Sequence, residues 1–126
     1  MNGNGIERCL ARFEDKANMW LGSLRAGDGR PHLVPIWYVI HDGKLWVATL
    51  PSQKSRNIAS DARVIAALDD TDSPCVLEGT ARLESAADQR DAVAPLFVAK
   101  YRWDFRNDDD GDYLLFSIAP TRTLLG

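Results

Sequence analysis

The chain has 126 residues, enough for one domain with a substantial core and too few for two. Its 18 acidic and 15 basic residues give a formal charge of -3, which argues against a broad basic surface for nucleic acid or an anionic membrane. No apolar run is long enough to span a bilayer, and the first residues lack the order of a secretory signal, so we expect a cytoplasmic protein.

The first third of the chain predicts a helix followed by a β-hairpin. Apolar residues recur at helical spacing within residues 6–16. Strands are predicted over residues 19–26 and 32–40, on either side of a glycine-containing turn. The second strand is apolar on both faces, which is typical of a strand covered on both sides. Pro35 donates no ladder hydrogen bond, so we expect a bulge or a local edge there, with free backbone groups that could contact a planar ligand.

Two further strands and a short helix are predicted in the middle of the chain. The third strand, residues 45–50, follows the tight turn signal Asp42-Gly43. A helix is predicted over residues 52–60, because Ser52 is a suitable N-cap. The fourth strand is predicted over residues 64–68.

The last third of the chain predicts two strands on either side of an interrupted helix. The fifth strand covers residues 75–83, with a bulge at Glu78-Gly79. Residues 86–103 are predicted to be helical, but Pro95 should divide them into two pieces. The sixth strand covers residues 113–118, and residues 121–125 form a possible final short strand.

Strands dominate this pattern, so the predicted fold class is mainly β with flanking helices. A small antiparallel barrel, partly open, is the closest simple architecture, because a curled sheet avoids exposed edges. No linker or repeat divides the sequence, and we expect a single domain over residues 1–126.

A cationic segment after the third strand is the strongest candidate for binding. Lys54 and Asn57 are three residues apart and share one face of the predicted helix, which starts at Ser52. A phosphate at this helix N-terminus would meet backbone amides, the positive end of the helix dipole and the Lys54 ammonium. Thr49 could add a hydroxyl, and Arg56 a further cation. The same spacing also fits a solvated basic turn, so spacing by itself leaves both interpretations open.

Other chemistry finds less support in the sequence. His32 and His41 have no second histidine or cysteine at ligand spacing, so no metal site is predicted. Cys9 and Cys75 show neither a Cys-x-x-Cys spacing nor a disulfide framework, and we interpret them as small buried hydrophobic residues. The sequence also lacks a Gly-x-Ser-x-Gly elbow and a glycine-rich phosphate loop.

Several short motifs in this chain resemble one known family. They are Asp28-Gly29-Arg30-Pro31-His32, Val34-Pro35-Ile36-Trp37, Asp42-Gly43, Lys54-x-x-Asn57 and Ala62-Arg63-Val64. Their order and spacing are similar to those of the pyridoxamine 5'-phosphate oxidase-like split-barrel family. The closest likeness is to its branch of flavin- and deazaflavin-dependent oxidoreductases. True pyridoxamine 5'-phosphate oxidases end in a longer segment rich in arginine and histidine, so vitamin B6 oxidation is not expected here.

The resemblance implies a six-stranded antiparallel split β-barrel that forms a homodimer, with one cofactor in each of two clefts at the interface. The cofactor would be FMN or coenzyme F-420, with its ring against the second strand and its phosphate beside the cationic segment. The implied cofactor-binding residues are His32, Val34, Pro35, Ile36, Trp37, Thr49, Ser52, Lys54, Arg56 and Asn57. Tyr101, Trp103 and Arg106 are candidates for the groups that the partner subunit contributes.

The implied activity is hydride transfer between the cofactor and a small planar substrate such as an enone or a quinone. This chemistry belongs to the cofactor, so no catalytic side chain is predicted. Three alternatives remain open at this point. They are a non-catalytic flavin or deazaflavin carrier, a haem-binding protein with His32 or His41 as axial ligand, and a nucleic-acid-binding barrel, which the acidic balance disfavours.

Overall fold

The computed structural model describes residues 2–124 of the chain. Within that range it contains seven strands, three α-helices and one 3-10 turn. In chain order these are α1 (Asn2–Glu14), β1 (Met19–Leu24), β2 (Pro31–Ile36), β3 (Val39–His41), β4 (Lys44–Thr49), α2 (Gln53–Ser60), β5 (Arg63–Ala67), β6 (Val76–Leu83), α3 (Ala87–Tyr101), the 3-10 turn (Phe105–Asn107) and β7 (Leu114–Thr123). None of the helices described is both long and apolar enough to cross a membrane.

The seven strands form one antiparallel sheet in the order β2-β1-β5-β6-β7-β4-β3. β2 and β3 lie at opposite edges of this sheet, although only Trp37 and Tyr38 separate them in the chain. Three steps along an extended chain cover about 11 Å at most, so the sheet must curl until its two edges almost meet. Trp37 and Tyr38 therefore bridge the seam, which is the line where the two edges of the sheet come together. The expected split β-barrel is confirmed.

The strand count differs from the prediction because residues 32–40 are divided between β2 and β3. Two strands replace one where the chain crosses the seam. The interpretation of this segment as covered on both sides is wrong, because β2 is an edge strand and Leu33 is 60% exposed. The expected edge at Pro35 is confirmed, since a proline on an edge strand leaves no ladder hydrogen bond unmade.

The helix α3 is continuous through Pro95, so its predicted division into two pieces is wrong. A proline inside a helix costs about 3 kcal/mol, because it removes one hydrogen bond and clashes with the preceding turn. Val93, Ala94 and Phe97 surround the proline and are fully buried, in a cluster that also contains Trp46. Burial of this face offsets the local cost.

The two short strands predicted at the C-terminal end are one strand, β7. The predicted second piece reached residue 125, which lies outside the described residues. β7 pairs with both β6 and β4, and its register with β6 shifts between Glu78 and Gly79, which confirms the predicted bulge. Gly79 is needed there, because a Cβ at this position would lie 2.8 Å from the Ala119 carbonyl oxygen.

The main core lies inside the curled sheet and is covered by α1. Phe13 of α1 is fully buried and meets the Tyr38 ring edge-on, with ring centroids 5.6 Å apart. A second core cluster lies between α3 and the sheet, where Phe97 packs against Phe105. The two clusters lie on either side of the seam residue Tyr38 and its neighbour Val39.

Cys9 of α1 and Cys75, directly before β6, form a disulfide, with their Cα atoms 5.6 Å apart. Both residues are buried as expected, but the expectation that they are unpaired is wrong. The sequence carries no signal for this pairing, because only the fold brings the two positions together. In the chain-entropy model, a cross-link across 66 residues stabilises the fold by about 4 kcal/mol.

Candidate functional site

An open cleft of about 610 Å³ lies at the seam of the split barrel. The end of β2 forms one side, the end of β4 forms the other, and the first residues of α2 close one end. The lining residues are Asn18, Pro35, Ile36, Trp37, Ala48, Thr49, Leu50, Ser52, Lys54, Trp103 and Tyr113. Residues from opposite edges of the sheet meet here because the sheet is curled.

One end of the cleft carries groups suited to an anion. Ser52 is the N-cap residue of α2, as predicted, and its backbone is extended (φ -158°, ψ -179°). Ser52 and Ser55 are arranged as a capping box, in which the Ser52 N–H donates to the Ser55 Oγ at 2.8 Å. The buried Ser52 Oγ faces the Ser55 N–H but forms no hydrogen bond of normal geometry. The first amides of a helix have no intrahelical acceptor. Lys54 is the one charged side chain among the described lining residues, so this end of the cleft is cationic.

The other end of the cleft is an aromatic wall formed by Trp37, Trp103 and Tyr113. Tyr101 stacks on Trp37 from behind, with ring centroids 4.3 Å apart and planes 7° from parallel, yet Trp37 stays 43% exposed. Trp103 meets Trp37 and Tyr113 edge-on, at 5.9 Å and 5.0 Å. The Trp103 Nε1–H donates to Asp108 at 2.7 Å, which lowers the pKa of that carboxyl group. The wall therefore offers a fixed apolar surface for a planar ring.

The seam itself is fastened to the end of α3. The Tyr38 N–H donates to the Tyr101 Oη at 3.0 Å, and the Tyr101 hydroxyl has the Ala17 carbonyl oxygen at 2.7 Å as an acceptor. The Lys100 Nζ donates to the Tyr38 carbonyl oxygen at 3.0 Å and lies 3.8 Å from the centre of the Tyr38 ring. Burial lowers the pKa of Lys100 to about 8 and raises that of Tyr38. These contacts hold Trp37 in position.

Asn57 is fully buried and does not line the cleft. Its Oδ1 accepts hydrogen bonds from the Ala26 N–H at 3.1 Å and from the Gln53 side chain at 2.6 Å. Its Nδ2 donates to the Ser23 Oγ at 3.1 Å. Both polar atoms of the Asn57 side chain are therefore hydrogen-bonded within the protein, and these bonds join α2 to the end of β1.

Six of the ten predicted binding residues line the cleft and four do not. Those in the cleft are Pro35, Ile36, Trp37, Thr49, Ser52 and Lys54. Besides Asn57, three residues lie elsewhere. His32 lines a separate cavity beside Arg63, Arg56 faces another cavity near Ala81, and Val34 pairs with Leu21 in the sheet.

The prediction missed four lining residues, of which Ala48 and Leu50 flank the predicted Thr49 and the other two are Asn18 and Tyr113. The register of the β1–β2 hairpin, with Met19 opposite Ile36, continues to bring Asn18 next to Trp37. The predicted turn between these strands could have revealed this neighbour. Tyr113 directly precedes β7, which reaches the cleft through its pairing with β4. No sequence signal announces that pairing.

Two of the three residues expected to reach a partner's cleft belong to the cleft of their own chain. Trp103 lines it and Tyr101 supports Trp37. The Arg106 guanidinium forms ion pairs with Asp91 at 2.9 Å and Asp104 at 2.8 Å. Its charge is therefore already compensated within the subunit.

Comparisons with known proteins agree with this architecture. A model of the family described as pyridoxamine 5'-phosphate oxidase matches residues 6–125. A conserved hypothetical protein of Mycobacterium tuberculosis has a similar structure, with a TM-score of 0.78 and 23% identity over 93% of this chain and 81% of that chain. An FAD-binding protein of Mesorhizobium loti gives a TM-score of 0.74 at 18% identity, covering 98% and 92% of the two chains. An F-420 reductase gives 0.66 at 21% identity, covering 86% and 89%. No curated protein sequence matches the chain.

Proposed function

The chain belongs to the pyridoxamine 5'-phosphate oxidase family, and from this premise we propose that it is an oxidoreductase that binds FMN or coenzyme F-420. The cofactor would occupy the cleft at the barrel seam, and the enzyme would transfer hydride to or from a small planar organic substrate.

The observation that carries this proposal is the pairing of an anion site with an aromatic wall in one cleft. At one end, the buried Ser52 Oγ forms no hydrogen bond of normal geometry and Lys54 supplies a positive charge. At the other end, Trp37 keeps an exposed surface although Tyr101 covers one of its faces. A planar ring joined to a phosphate-bearing tail matches both ends at once.

The charges in the cleft support FMN better than coenzyme F-420. Lys54 is the one charged side chain among the described lining residues, which suits a single phosphate group. Coenzyme F-420 has a longer anionic tail, which would need further positive groups. Arg56 lines a different cavity, and Arg63 forms an ion pair with Asp61 at 2.6 Å.

A bound flavin or deazaflavin would supply the hydride chemistry, and the residues of the chain would bind and orient it. The Lys54 ammonium, the Ser52 hydroxyl and the first amides of α2 would hold the phosphate. The end of β2, from Pro35 to Trp37, would support the ring. Trp103 and Trp37 would keep water away from one side of it, which strengthens the electrostatic interactions within the cleft.

We further propose that two copies of the chain associate and close the cleft from its open side. The outer face of the sheet supports this, because Trp20 and Leu33 are 38% and 60% exposed there. Leu33 and Ile65 both pair with Gly22, so they extend the same apolar face. A continuous exposed apolar face of this kind is typical of a protein interface. Sedimentation velocity of the purified chain tests this: we expect a dimer, and a monomer at all concentrations would contradict it.

The alternatives receive less support from the site. Haem would need an axial histidine, but His32 lines another cavity and His41 packs beside Trp46, with ring centroids 5.9 Å apart. A non-catalytic flavin carrier would bind its cofactor in the same cleft, and it would differ from the proposed oxidoreductase only in converting no substrate.

The test is a titration of the purified protein with FMN and with coenzyme F-420, followed by quenching of cofactor fluorescence. We expect saturable binding of at least one of them, tighter for FMN. The reduced complex is then mixed with a panel of enones and quinones under anaerobic conditions, and cofactor reoxidation is recorded. Binding without reoxidation by any acceptor would favour the carrier, and absence of binding would refute the proposed function.

A further inference from the structure

We propose that the Cys9–Cys75 disulfide is a thiol-responsive bond that controls the aromatic wall of the cleft through the C-terminal end of α1. The use of FMN as one readout rests on the proposed function, whereas the structural readouts do not.

Both cysteines are buried, but they line a cavity through which a small thiol would approach the bond. A cavity of about 360 Å³ is lined by both cysteines, by Arg8 and Arg12 of α1, and by the loop residues 72–74. Arg12 follows Cys9 by three residues and so lies on the same face of the helix. Its guanidinium also pairs with Asp70 at 3.2 Å. A neighbouring guanidinium favours a cysteine leaving as its thiolate.

The chemistry is thiol–disulfide exchange with a small thiol. The thiolate of the small molecule attacks one sulfur and forms a mixed disulfide with that cysteine. The other cysteine leaves as a thiolate and takes a proton from water. A second small thiol then displaces the first cysteine, so that two small thiols are oxidised to one disulfide while Cys9 and Cys75 are reduced to two thiols.

The last turn of α1 and the residues directly after it contact the two tyrosines that support the aromatic wall. The Tyr38 hydroxyl donates to the Phe13 carbonyl oxygen, and the Lys16 carbonyl oxygen lies 3.1 Å from the same hydroxyl. The Tyr101 hydroxyl lies 2.7 Å from the Ala17 carbonyl oxygen. Tyr101 in turn stacks on Trp37, which lines the cleft. The position of α1 is therefore transmitted to the aromatic wall through two tyrosine hydroxyl groups.

The disulfide cross-links α1 to the residue directly before β6. After reduction, α1 would keep the packing of Leu10 and Phe13 and the partly exposed Arg12–Asp70 ion pair. The strands would keep their ladder hydrogen bonds, because the order of the sheet does not include α1. We therefore expect local loosening of α1 and of the tyrosines attached to it, with the barrel intact.

The experiment compares the full chain before and after incubation with excess reduced glutathione. Free thiols are counted by alkylation and intact mass, backbone mobility is measured by hydrogen exchange, and FMN affinity by fluorescence titration. We expect two thiols per chain after treatment. Exchange should accelerate over residues 10–17, 37–38 and 98–103 and stay unchanged in β5 and β6. The Kd for FMN should rise about fivefold or more, in the usual range for coupling between two sites.

Two variants separate the coupling from simple loss of a cross-link. The double variant Cys9→Ser/Cys75→Ser should behave like the reduced protein and should not respond to glutathione. Tyr101→Phe keeps the ring that stacks on Trp37 but removes the hydroxyl that contacts Ala17. In this variant, reduction should raise the Kd for FMN by less than it does in the wild type, because one of the two connections to the wall is already broken.

Three results would overturn the inference. The first is a disulfide that stays closed in the folded protein at high glutathione concentration. The second is reduction that leaves exchange over residues 37–38 and 98–103 unchanged. The third is cooperative unfolding of the whole sheet on reduction, which would make the bond a structural cross-link only. If neither form binds FMN, the proposed function fails, and the exchange data still decide the inference.

Discussion

Replacement of Lys54 by alanine is the most informative single substitution in the cleft. Lys54 supplies the one side-chain charge that we find in the described lining, at the start of α2. A charge-assisted hydrogen bond of this kind contributes about 1 to 3 kcal/mol. The Ser52 hydroxyl and the amides of α2 remain in the variant. Binding of FMN should therefore weaken by roughly 5- to 150-fold without being lost.

The assay is quenching of flavin fluorescence, with FMN and riboflavin titrated in parallel. Riboflavin has the same ring but no phosphate, so Lys54→Ala should leave its affinity unchanged within about twofold. Arg56→Ala is the matched control, because Arg56 lies on the same helix, is exposed and faces another cavity. It should leave the affinity for both ligands unchanged.

Two results would refute the reasoning about Lys54. Equal FMN affinity in the wild type and in Lys54→Ala would remove the ammonium from the phosphate site. A loss of riboflavin affinity as large as the loss of FMN affinity would mean that the substitution disturbs the whole cleft. Thermal unfolding of each variant shows whether the fold is retained.

Three further predictions follow from the contacts around the cleft. Trp37→Leu removes the flat surface and should weaken FMN and riboflavin alike, by about three- to tenfold in the same titration; unchanged riboflavin binding would contradict this. Asn57→Ala leaves the Ser23 hydroxyl and the Ala26 amide without their hydrogen-bond partner. It should therefore lower the free energy of unfolding in urea by about 2 to 3 kcal/mol. A loss below about 0.5 kcal/mol would show that Asn57 does not anchor α2 to the end of β1. Burial lowers the pKa of Lys100 from 10.5 to about 8, so the charged form is penalised in the fold below pH 8. That penalty fades as the pH rises, and the free energy of unfolding should increase by about 1 to 2 kcal/mol between pH 8 and 10; Lys100→Met should show no such increase.

Local signals in the sequence were sufficient to predict the hairpins. Asp42 and Gly43 adopt positive φ angles of 55° and 69°, as their turn signal requires. Gly27 and Gly29 do the same, at 100° and 71°, in the turn between β1 and β2. These turns set the register of the strands that they join, whereas the placement of the end of β2 and the start of α2 in one site was implied by the family resemblance.

Features that depend on distant partners could not be predicted in this way. The apolar run from residue 32 to residue 40 is continuous in sequence, and its division follows from β2 pairing with β1 while β3 pairs with β4. The continuity of α3 through Pro95 depends on burial of the surrounding face against the sheet. The disulfide depends on α1 crossing the barrel end beside Cys75.

The same distinction explains the errors within the site. Lys54 and Asn57 share a helix face by spacing, but Asn57 turns inward because Ser23 and Ala26 of the distant hairpin offer it partners. Trp103 and Tyr113 reach the cleft from the far end of the chain. The phosphate end of the site is thus encoded locally, whereas its aromatic wall is assembled by the fold.

A crystal structure of the protein grown with FMN tests the central claim most directly. We expect the phosphate within hydrogen-bond distance of the Ser52 Oγ and the Lys54 Nζ, and the flavin ring against the end of β2 near Trp37. An FMN phosphate bound anywhere else, or a cleft without FMN at saturating concentration, would contradict the account.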